Sequence, residues 1–227
     1  MEETAKMKIT NEIYQVGGGE YSAPQDAAVY LICFNGHAAL VDAGCGYGQN
    51  RILNNIRKCG ISPEAIEYLL ITHCHFDHTG GIKALKEILG FKTVAHELDA
   101  PFLERGDPHV TAASWYGSPM EAFPVDIKVS GSRQEIPLGG REILAIHTPG
   151  HSPGSMVYVT ESQGNKVVFA QDVHGPLHPD LLSQREDYLH SLEILLNLQA
   201  DILCEGHYGV VRGKKKVSTF IRQFMNA

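Results

Sequence analysis

The chain has 227 residues, of which 43% are hydrophobic and 20% are charged, and its formal net charge at pH 7 is -7. This length and apolar content suffice for a sizeable hydrophobic core, so we expect a single globular domain over residues 1–227. The acidic balance argues against nucleic acid as a partner, because nucleic-acid binding normally requires a basic surface. No run of about 20 apolar residues is present, so a membrane is not an expected partner either.

The cysteines indicate a reducing environment. Their number is odd, they are scattered along the chain, and they form no C-x-x-C pair. Such a distribution predicts free thiols rather than a disulfide framework. The first ten residues are charged rather than apolar and do not resemble an export signal. We therefore expect a cytoplasmic protein.

Apolar, β-branched runs bounded by Gly, Pro or Asp predict strands, and apolar residues at helical spacing predict helices. In chain order the pattern predicts strands at 13–16, 28–34 and 38–41, a helix at 51–58, a strand at 68–71, a helix at 82–89, strands at 93–95, 143–146, 156–159 and 167–170, a helix at 185–198, a strand at 201–204 and a helix at 215–224. The stretch 97–124 is rich in proline and aromatic residues, which predicts an irregular excursion that could wall a pocket.

The densest group of metal-binding side chains directly follows the predicted strand at 68–71. Residues 72–80 read THCHFDHTG, so His73, His75, Asp77 and His78 lie within six positions. Buried imidazoles and carboxylates must be paired or coordinated to offset the cost of desolvation, and a metal would meet that need. On a tight loop, one pair of these side chains can point one way and the other pair another way, while Cys74 points away from both. The spacing therefore predicts two adjacent cation sites.

Three further candidates follow other predicted strands. His151 lies in the segment TPGHS after the strand at 143–146, Asp172 follows the strand at 167–170, and His207 follows the strand at 201–204. Loops at strand ends can vary while the sheets hold their positions. We therefore expect all the candidate ligands to meet at one edge of a β scaffold.

Taken in order, these motifs resemble the metallo-β-lactamase-fold hydrolases, particularly their glyoxalase II-like branch. The resemblance is carried by LVDAG at 40–44, HCHFDH at 73–78, TPGH at 148–151, Gln171-Asp172 and Gly206-His207. It implies an α+β fold, a four-layer αββα sandwich with two sheets face to face and helices outside. Two departures stand out: the family often has glycine where Gln171 stands, and little sequence follows His207. Because that leaves no helical carboxy-terminal extension, glutathione thioesters lose support as substrates.

The resemblance also implies a role for each ligand. His73, His75 and His151 would bind a first metal, and Asp77, His78 and His207 a second. Asp172 would bridge the two metals, and Asp42 would support the histidine loop from below. Two divalent ions are implied, with zinc the expected metal and iron or manganese the alternatives. Their bridging hydroxide would attack a carbonyl substrate, a thioester or a lactone first, with Asp77 and Asp172 as the catalytic carboxylates.

Other residues are candidates for the substrate pocket. His174 follows Asp172 closely, and Tyr188 and Tyr208 are near the site in sequence, where a phenol could donate to a developing oxyanion. Trp115 lies in the aromatic-rich stretch 97–124. Ordinary structural packing is the alternative for each, and Trp115 could instead contact a second subunit. The expected partner is thus a small-molecule substrate, with a homo-oligomer as an open alternative.

Different reactions remain open from the sequence. In persulfide dioxygenases of the same fold, two histidines and an aspartate bind one iron, and the matching residues here are His73, His151 and Asp172. A β-lactamase is a second alternative, although a cytoplasmic chain would be badly placed to meet the drug. A non-catalytic metal-binding protein is a third. The physiological substrate is not identified by any motif.

Overall fold

Two six-stranded sheets form the centre of the fold. The computed structural model describes residues 7–170 and 172–225. The strands are β1 (Ile13–Gly17), β2 (Val29–Phe34), β3 (His37–Val41), β4 (Ile66–Leu70), β5 (Lys92–His96), β6 (Ile127–Val129), β7 (Arg133–Leu138), β8 (Arg141–His147), β9 (Met156–Ser162), β10 (Asn165–Phe169), β11 (Ile202–Cys204) and β12 (Val210–Arg212). The α-helices are α1 (Gln49–Lys58), α2 (Phe76–Thr79), α3 (Ile82–Leu89), α4 (Ala100–Arg105), α5 (Arg185–Leu198) and α6 (Lys214–Met225).

The strand order places several loops at the same edge of the molecule. The first sheet has the order β1-β2-β3-β4-β5-β6, and β3 to β6 run parallel to one another. The second sheet has the order β12-β11-β10-β9-β8-β7, in which only β10 and β11 are parallel. Parallel neighbours end at the same side of a sheet. The loop after β4 therefore emerges beside the loops after β3 and β5. In the second sheet, the loop after β10 emerges beside the loop after β11.

Three apolar layers hold the sheets and helices together. Between the sheets, side chains such as Tyr158 and Phe169 are fully buried. On the outer face of the first sheet, α1 and α3 bury Ile52, Ile56, Ile82 and Leu85 at helical spacing. On the outer face of the second sheet, α5 and α6 bury Leu192, Leu195, Val217 and Ile221. Because each helix has one apolar stripe to cover, this arrangement yields the expected αββα sandwich.

Every predicted strand and helix is present, with bounds that differ by a few residues. The sequence patterns missed β6, β7 and β12, together with the short helices α2 and α4. Strands β6, β7 and β12 lie at the edges of the sheets. Edge strands are often short and polar, and β7 even carries Pro137, so their apolar signal is weak.

All five cysteines are free, as their spacing predicted. Burial raises the pKa of the Cys59 thiol to about 11, so this thiol stays protonated near neutral pH.

Among residues 7–170 and 172–225, no helix combines the length and the apolar character that a membrane crossing requires.

Candidate metal centre

The seven candidate ligands lie in the segments that follow β4, β8, β10 and β11. Their positions at strand ends are as the sequence predicted. One local detail is different: residues 76–79 form the short helix α2 and not a loop. Its turn is closed by the bond from the Thr79 amide to the carbonyl oxygen of His75, at 3.0 Å. Asp77 and His78 lie within this turn, and the ring centroid of His78 is 4.2 Å from that of His73.

The ligands fall into two adjoining groups. One ligand atom from each of His73, His75 and His151, the first group, lies within 4.8 Å of the others. The same limit joins the second group, which consists of Asp77, His78, Asp172 and His207. This division agrees with the one that the family resemblance implies, and the metal-binding role of each residue stays a prediction.

Asp172, a member of the second group, also adjoins the first group. Its Oδ2 is 3.5 Å from Nε2 of His151, in the first group, and its Oδ1 is 3.2 Å from Nε2 of His78, in the second group. Its Oδ2 also lies 3.4 Å from Nε2 of His207. A carboxylate in this position can offer one oxygen to each of two cations. Gln171, the neighbour that departs from the family pattern, lies outside the described residues.

The Nδ1 atoms of three histidines are held by neighbours, which turns their Nε2 atoms inward. His78 donates from Nδ1 to Oδ2 of Asp42 at 2.7 Å, and His151 donates from Nδ1 to the carbonyl of Pro176 at 3.0 Å. Nδ1 of His73 lies 3.0 Å from the hydroxyl of Thr72. Such outer bonds fix the ring orientation and leave Nε2 available to a metal.

Asp42 lies beneath the histidine loop, as expected of a supporting acid. Its Oδ1 accepts the amide of Thr72 at 2.8 Å, and its Oδ2 accepts the hydroxyl of Thr72 at 2.7 Å in addition to the imidazole of His78. The backbone at Asp42 has a φ of 61°, in the left-handed region. Aspartate tolerates this conformation better than most residues do.

The first group is electrically neutral near pH 7. Burial, followed by the charge of His151, lowers the pKa of His75 to about 3. Burial also lowers the pKa of His151, and burial with the neighbouring imidazoles holds the pKa of His73 well below its usual value. Because a metal binds neutral imidazole, these three side chains are in the correct protonation state.

The second group carries charge. Burial alone would lower the pKa of His207, but the hydrogen bonds to Asp172 and Asp77 outweigh burial and raise it to about 10. Burial is likewise outweighed at His78, whose pKa lies well above its usual value because of Asp172 and Asp77. The two carboxyls respond in the opposite direction: despite burial, the charge of His78 lowers the pKa of both Asp77 and Asp172. Without a metal, protons on the imidazoles balance the two anions.

Unsatisfied atoms support a metal at both groups. Within the described residues, three buried side-chain atoms meet no hydrogen-bond geometry: Nε2 of His75, Nε2 of His78 and Oδ1 of Asp172, the last two lying 3.2 Å apart as an ion pair. Buried polar atoms without partners are rare because they are costly, and here all three are potential ligand atoms. Gly206 shows how tight the centre is, since a Cβ there would lie 2.3 Å from Oδ1 of Asp172. Nitrogen and oxygen ligands of this kind suit zinc, iron or manganese.

Glu205 is a site residue that the sequence patterns missed. Its side chain is fully buried, and its Oε2 accepts the amides of His207 and Tyr208 at 2.7 and 2.8 Å. Its Oε1 lies 2.8 Å from Nδ1 of His174. Glu205 thus holds the turn that carries His207. In the sequence, the signal that could have identified Glu205 is its position as an acidic residue between an apolar strand and the Gly206-His207 motif.

His174 and Tyr208 lie beside the second group. The ring of His174 is 5.1 Å from that of His207 and 5.2 Å from that of Tyr208. Tyr208 is 63% exposed and, together with His207, lines a cleft of about 370 Å³. Gly18, Gly19 and neighbouring residues also line this cleft. Both predicted pocket residues are therefore close to the candidate ligands.

Tyr188 does not present a free phenol to a substrate, which corrects the expectation for this residue. Its ring is buried, and its hydroxyl donates to the backbone carbonyl of Val173. Burial raises the pKa of Tyr188 to about 12. The hydroxyl is thus committed to supporting the loop that follows Asp172. Sequence proximity to the site could not reveal this backbone partner.

Trp115 lies on an exposed turn. Its side chain is 52% exposed, and its ring is 5.2 Å from that of His178, in edge-to-face orientation. This contact joins the stretch 97–124 to residues 174–182, a segment that contains Pro176 and Pro179. Its neighbour Tyr116 packs against Phe76, the residue before Asp77, with ring centroids 5.4 Å apart. The sequence patterns did not single out Tyr116 because its contact depends on the fold of this stretch.

Comparison with protein families and curated sequences gives consistent matches. The profile of the metallo-beta-lactamase superfamily matches residues 23–207. A protein named a probable metallo-hydrolase, from Methanocaldococcus jannaschii, is 31% identical over 123 residues, which cover 54% of this chain and 57% of that protein. A hydroxyacylglutathione hydrolase from Anaeromyxobacter dehalogenans is 30% identical over 139 residues, 61% of this chain and 44% of that protein. The chain thus spans less than two thirds of the length of these relatives.

Two further comparisons cover more of the chain. An acyl-coenzyme A thioesterase from Gallus gallus is 26% identical over 219 residues, which cover 84% of this chain and 75% of that protein. Among solved structures, a motif variant of a metallo-beta-lactamase from Cronobacter sakazakii superposes with a TM-score of 0.80 at 24% identity. That superposition covers 96% of this chain and 93% of the other. At this identity, the likeness concerns the fold.

Proposed function

Because this chain belongs to the metallo-β-lactamase superfamily, we propose that it is a hydrolase that uses two divalent metal ions to cleave a thioester or a lactone. One observation carries the proposal: Asp172 adjoins both a group of three neutral histidines and a second group of charged ligands. The curated names of two relatives, a hydroxyacylglutathione hydrolase and an acyl-coenzyme A thioesterase, support a thioester.

The proposed ligands follow the two groups. His73, His75 and His151 would hold one ion, Asp77, His78 and His207 the other, and Asp172 would contact both. We propose zinc for both ions, with iron or manganese as alternatives. When bound, such ions polarise a carbonyl oxygen and lower the pKa of a coordinated water.

The side chains of the protein perform the remaining tasks in this proposal. Asp77 and Asp172 stay ionised, because the charge of His78 lowers their pKa despite burial. The bonds to Asp42 and Pro176 keep the imidazoles of His78 and His151 from rotating. A small molecule would approach from the cleft beside His207, whose volume of about 370 Å³ falls among those of small-molecule sites, roughly 300 to 1,000 Å³. The free thiols support the cytoplasmic setting that we propose.

Metal analysis followed by a substrate panel tests this function. The protein would be purified anaerobically, its metals quantified, and its turnover of thioesters, lactones, a β-lactam and a persulfide compared. We expect two ions per chain, about one per group, and hydrolysis of a thioester or lactone. A single iron together with persulfide oxidation would instead support a dioxygenase. Firmly bound metal without turnover of any of these compounds would support a metal-binding protein.

Trp115→Ala is expected to raise KM for an acyl substrate several-fold and to leave metal content unchanged. The indole is exposed and lies on the aromatic turn that faces His178, outside both ligand groups. An aromatic contact of this kind is worth about 1 kcal/mol, or roughly fivefold in binding. Initial rates would measure this, and light scattering would show any change of assembly state. Ile88→Ala, at a residue that is 57% exposed on α3, is the matched control. If neither KM nor assembly changes, Trp115 only stabilises its turn.

A further inference from the structure

We propose that Asp99 is a positioning residue that fixes the loop of His73 and His75 against the loop of His151. The proposal rests on the metal centre proposed above and concerns the first group alone. Asp99 lies 21 positions or more from every candidate ligand in the sequence, and it contacts none of the ligand atoms. Its effect would come entirely through the backbone and hydroxyl groups next to the ligands.

Three hydrogen bonds connect Asp99 to both loops. Its Oδ2 accepts the amide of Cys74, which lies between His73 and His75, at 2.9 Å. The same oxygen accepts the hydroxyl of Ser152, the neighbour of His151, at 2.6 Å. Its Oδ1 accepts the amide of Gly154 at 2.7 Å. Every ligand of the first group is therefore adjacent in sequence to a residue that donates to Asp99.

The side chain of Asp99 is directed toward these loops and away from its own helix. Asp99 immediately precedes α4, a position where an aspartate normally caps the helix by accepting an amide of its first turn. Its side chain makes no such bond. It is instead 1% exposed and fully engaged by the three donors from the ligand loops. A residue that served only α4 would not need this orientation.

Gly154 gives independent support, because the second loop approaches Asp99 more closely than a side chain would allow. A Cβ at Gly154 would lie 2.5 Å from the amide nitrogen of Asp99 and 2.7 Å from its Cβ. Contacts this short between non-bonded atoms require the neighbours to move. The loop of His151 is thus built to lie directly against Asp99.

The second group is held by different bonds. The Phe76 amide donates to the carbonyl of Thr111 at 2.7 Å, and the Ala43 amide donates to the carbonyl of His78 at 2.8 Å. These bonds fix α2, which carries Asp77 and His78, without Asp99. Glu205 fixes the turn of His207 through two amide bonds. Loss of the Asp99 carboxylate should therefore affect the first group selectively.

Asp99→Asn tests this selectivity. The variant preserves the shape of the side chain, but its NH₂ group must face either the Gly154 amide or the Cys74 amide and Ser152 hydroxyl, so a donor meets a donor. We expect zinc to bind the first group about 10- to 100-fold more weakly, the usual effect of losing an outer-shell partner. Zinc binding by the second group should change by less than about threefold.

Zinc would be titrated into the metal-free full chain in competition with a chromophoric chelator. The titration would measure two binding steps, the binding of zinc to the first group and its binding to the second group. His151→Ala and His207→Ala assign the steps, since each removes a ligand from one group. Asp126→Asn is the matched control: Asp126 also accepts a backbone amide and a hydroxyl, both from Thr93, and lies away from the ligand loops. It should leave both zinc affinities unchanged. If Asp99→Asn does not fold, Ser152→Ala removes one of the three bonds and should weaken the first step alone.

The outcomes separate this proposal from the proposed function. Equal weakening of both steps, or no weakening of either, would overturn the role of Asp99. Because the titration uses zinc without a substrate, a protein that hydrolyses no thioester or lactone could still confirm selective weakening of the first step. In that case the proposed reaction would be wrong and the positioning role would stand.

Discussion

Asp172→Ala is expected to lose most of its bound metal and most of its hydrolytic activity together. Oδ1 of Asp172 faces His78 in the second group, and its Oδ2 faces His151 in the first. Without this shared anion, two neighbouring cations would repel each other in a buried site where the interaction is poorly screened. We expect bound zinc to fall to roughly one ion or less and hydrolysis to fall by on the order of 10³-fold. Elemental analysis and initial rates would measure the two losses.

Asp201→Ala is the control for Asp172→Ala. Asp201 is also an aspartate beside β10, but it accepts the amide of Lys166 at 2.9 Å, near the start of that strand, whereas Asp172 follows its end. We expect this control to lower stability slightly and to preserve metal and activity. Full hydrolysis by a metal-poor Asp172→Ala protein would rule out the proposed mechanism.

Zinc uptake by the second group is expected to tighten steeply as pH rises, whereas uptake by the first group should hardly depend on pH near and above neutrality. His207, with a pKa raised to about 10, and His78, with a pKa well above its usual value, are protonated at pH 7 in the metal-free protein. A metal must displace these protons. His75, with a pKa lowered to about 3, is already neutral at pH 7.

The sign and size of this dependence follow from proton counting. A proton that the metal must displace weakens metal binding. For each such proton, the metal affinity rises tenfold per pH unit until the pH passes the pKa of the metal-free group. With one or two protons displaced, affinity for the second ion should rise about 10- to 100-fold per pH unit between pH 6 and 9. Calorimetric titration in buffers of different ionisation enthalpy would count the protons. Equal proton release in the two steps would contradict this assignment of charge.

The spacing of the histidine loop predicted two cation sites because its chemistry is local, whereas the family resemblance supplied the assignment of His151, Asp172 and His207 to these sites. The short spacing of His73, His75, Asp77 and His78 defines two directions, and the strand ends bring the distant ligands to the same edge. The buried acids behind the ligands left no comparable signal. Asp99, for example, bonds to the amide of Gly154, 55 positions away, and any residue except proline has such an amide.

Other differences have similar physical causes. Tyr188 was a reasonable candidate for a free phenol, but the partner of its hydroxyl is the backbone of Val173. The carbonyl that a hydroxyl finds depends on the packing of two loops, which the residue types do not specify. Likewise, β7 pairs through its backbone with β8 although its sequence, RQEIPL, is largely polar. Backbone hydrogen bonds to a neighbouring strand can hold such a polar segment in a sheet once that neighbour has formed.

The left-handed backbone at Asp42 restricts which amino acids this position can accept. A β-branched or bulky residue would be strained there, by roughly 1–2 kcal/mol. Glycine would fit the backbone but would offer no oxygen to Thr72 and His78. Asparagine would tolerate the conformation, yet its amide group would point a donor at another donor. Among the twenty amino acids, only aspartate both tolerates this backbone conformation and offers the two acceptor oxygens. We therefore expect a saturation library at position 42, selected for activity, to return aspartate alone.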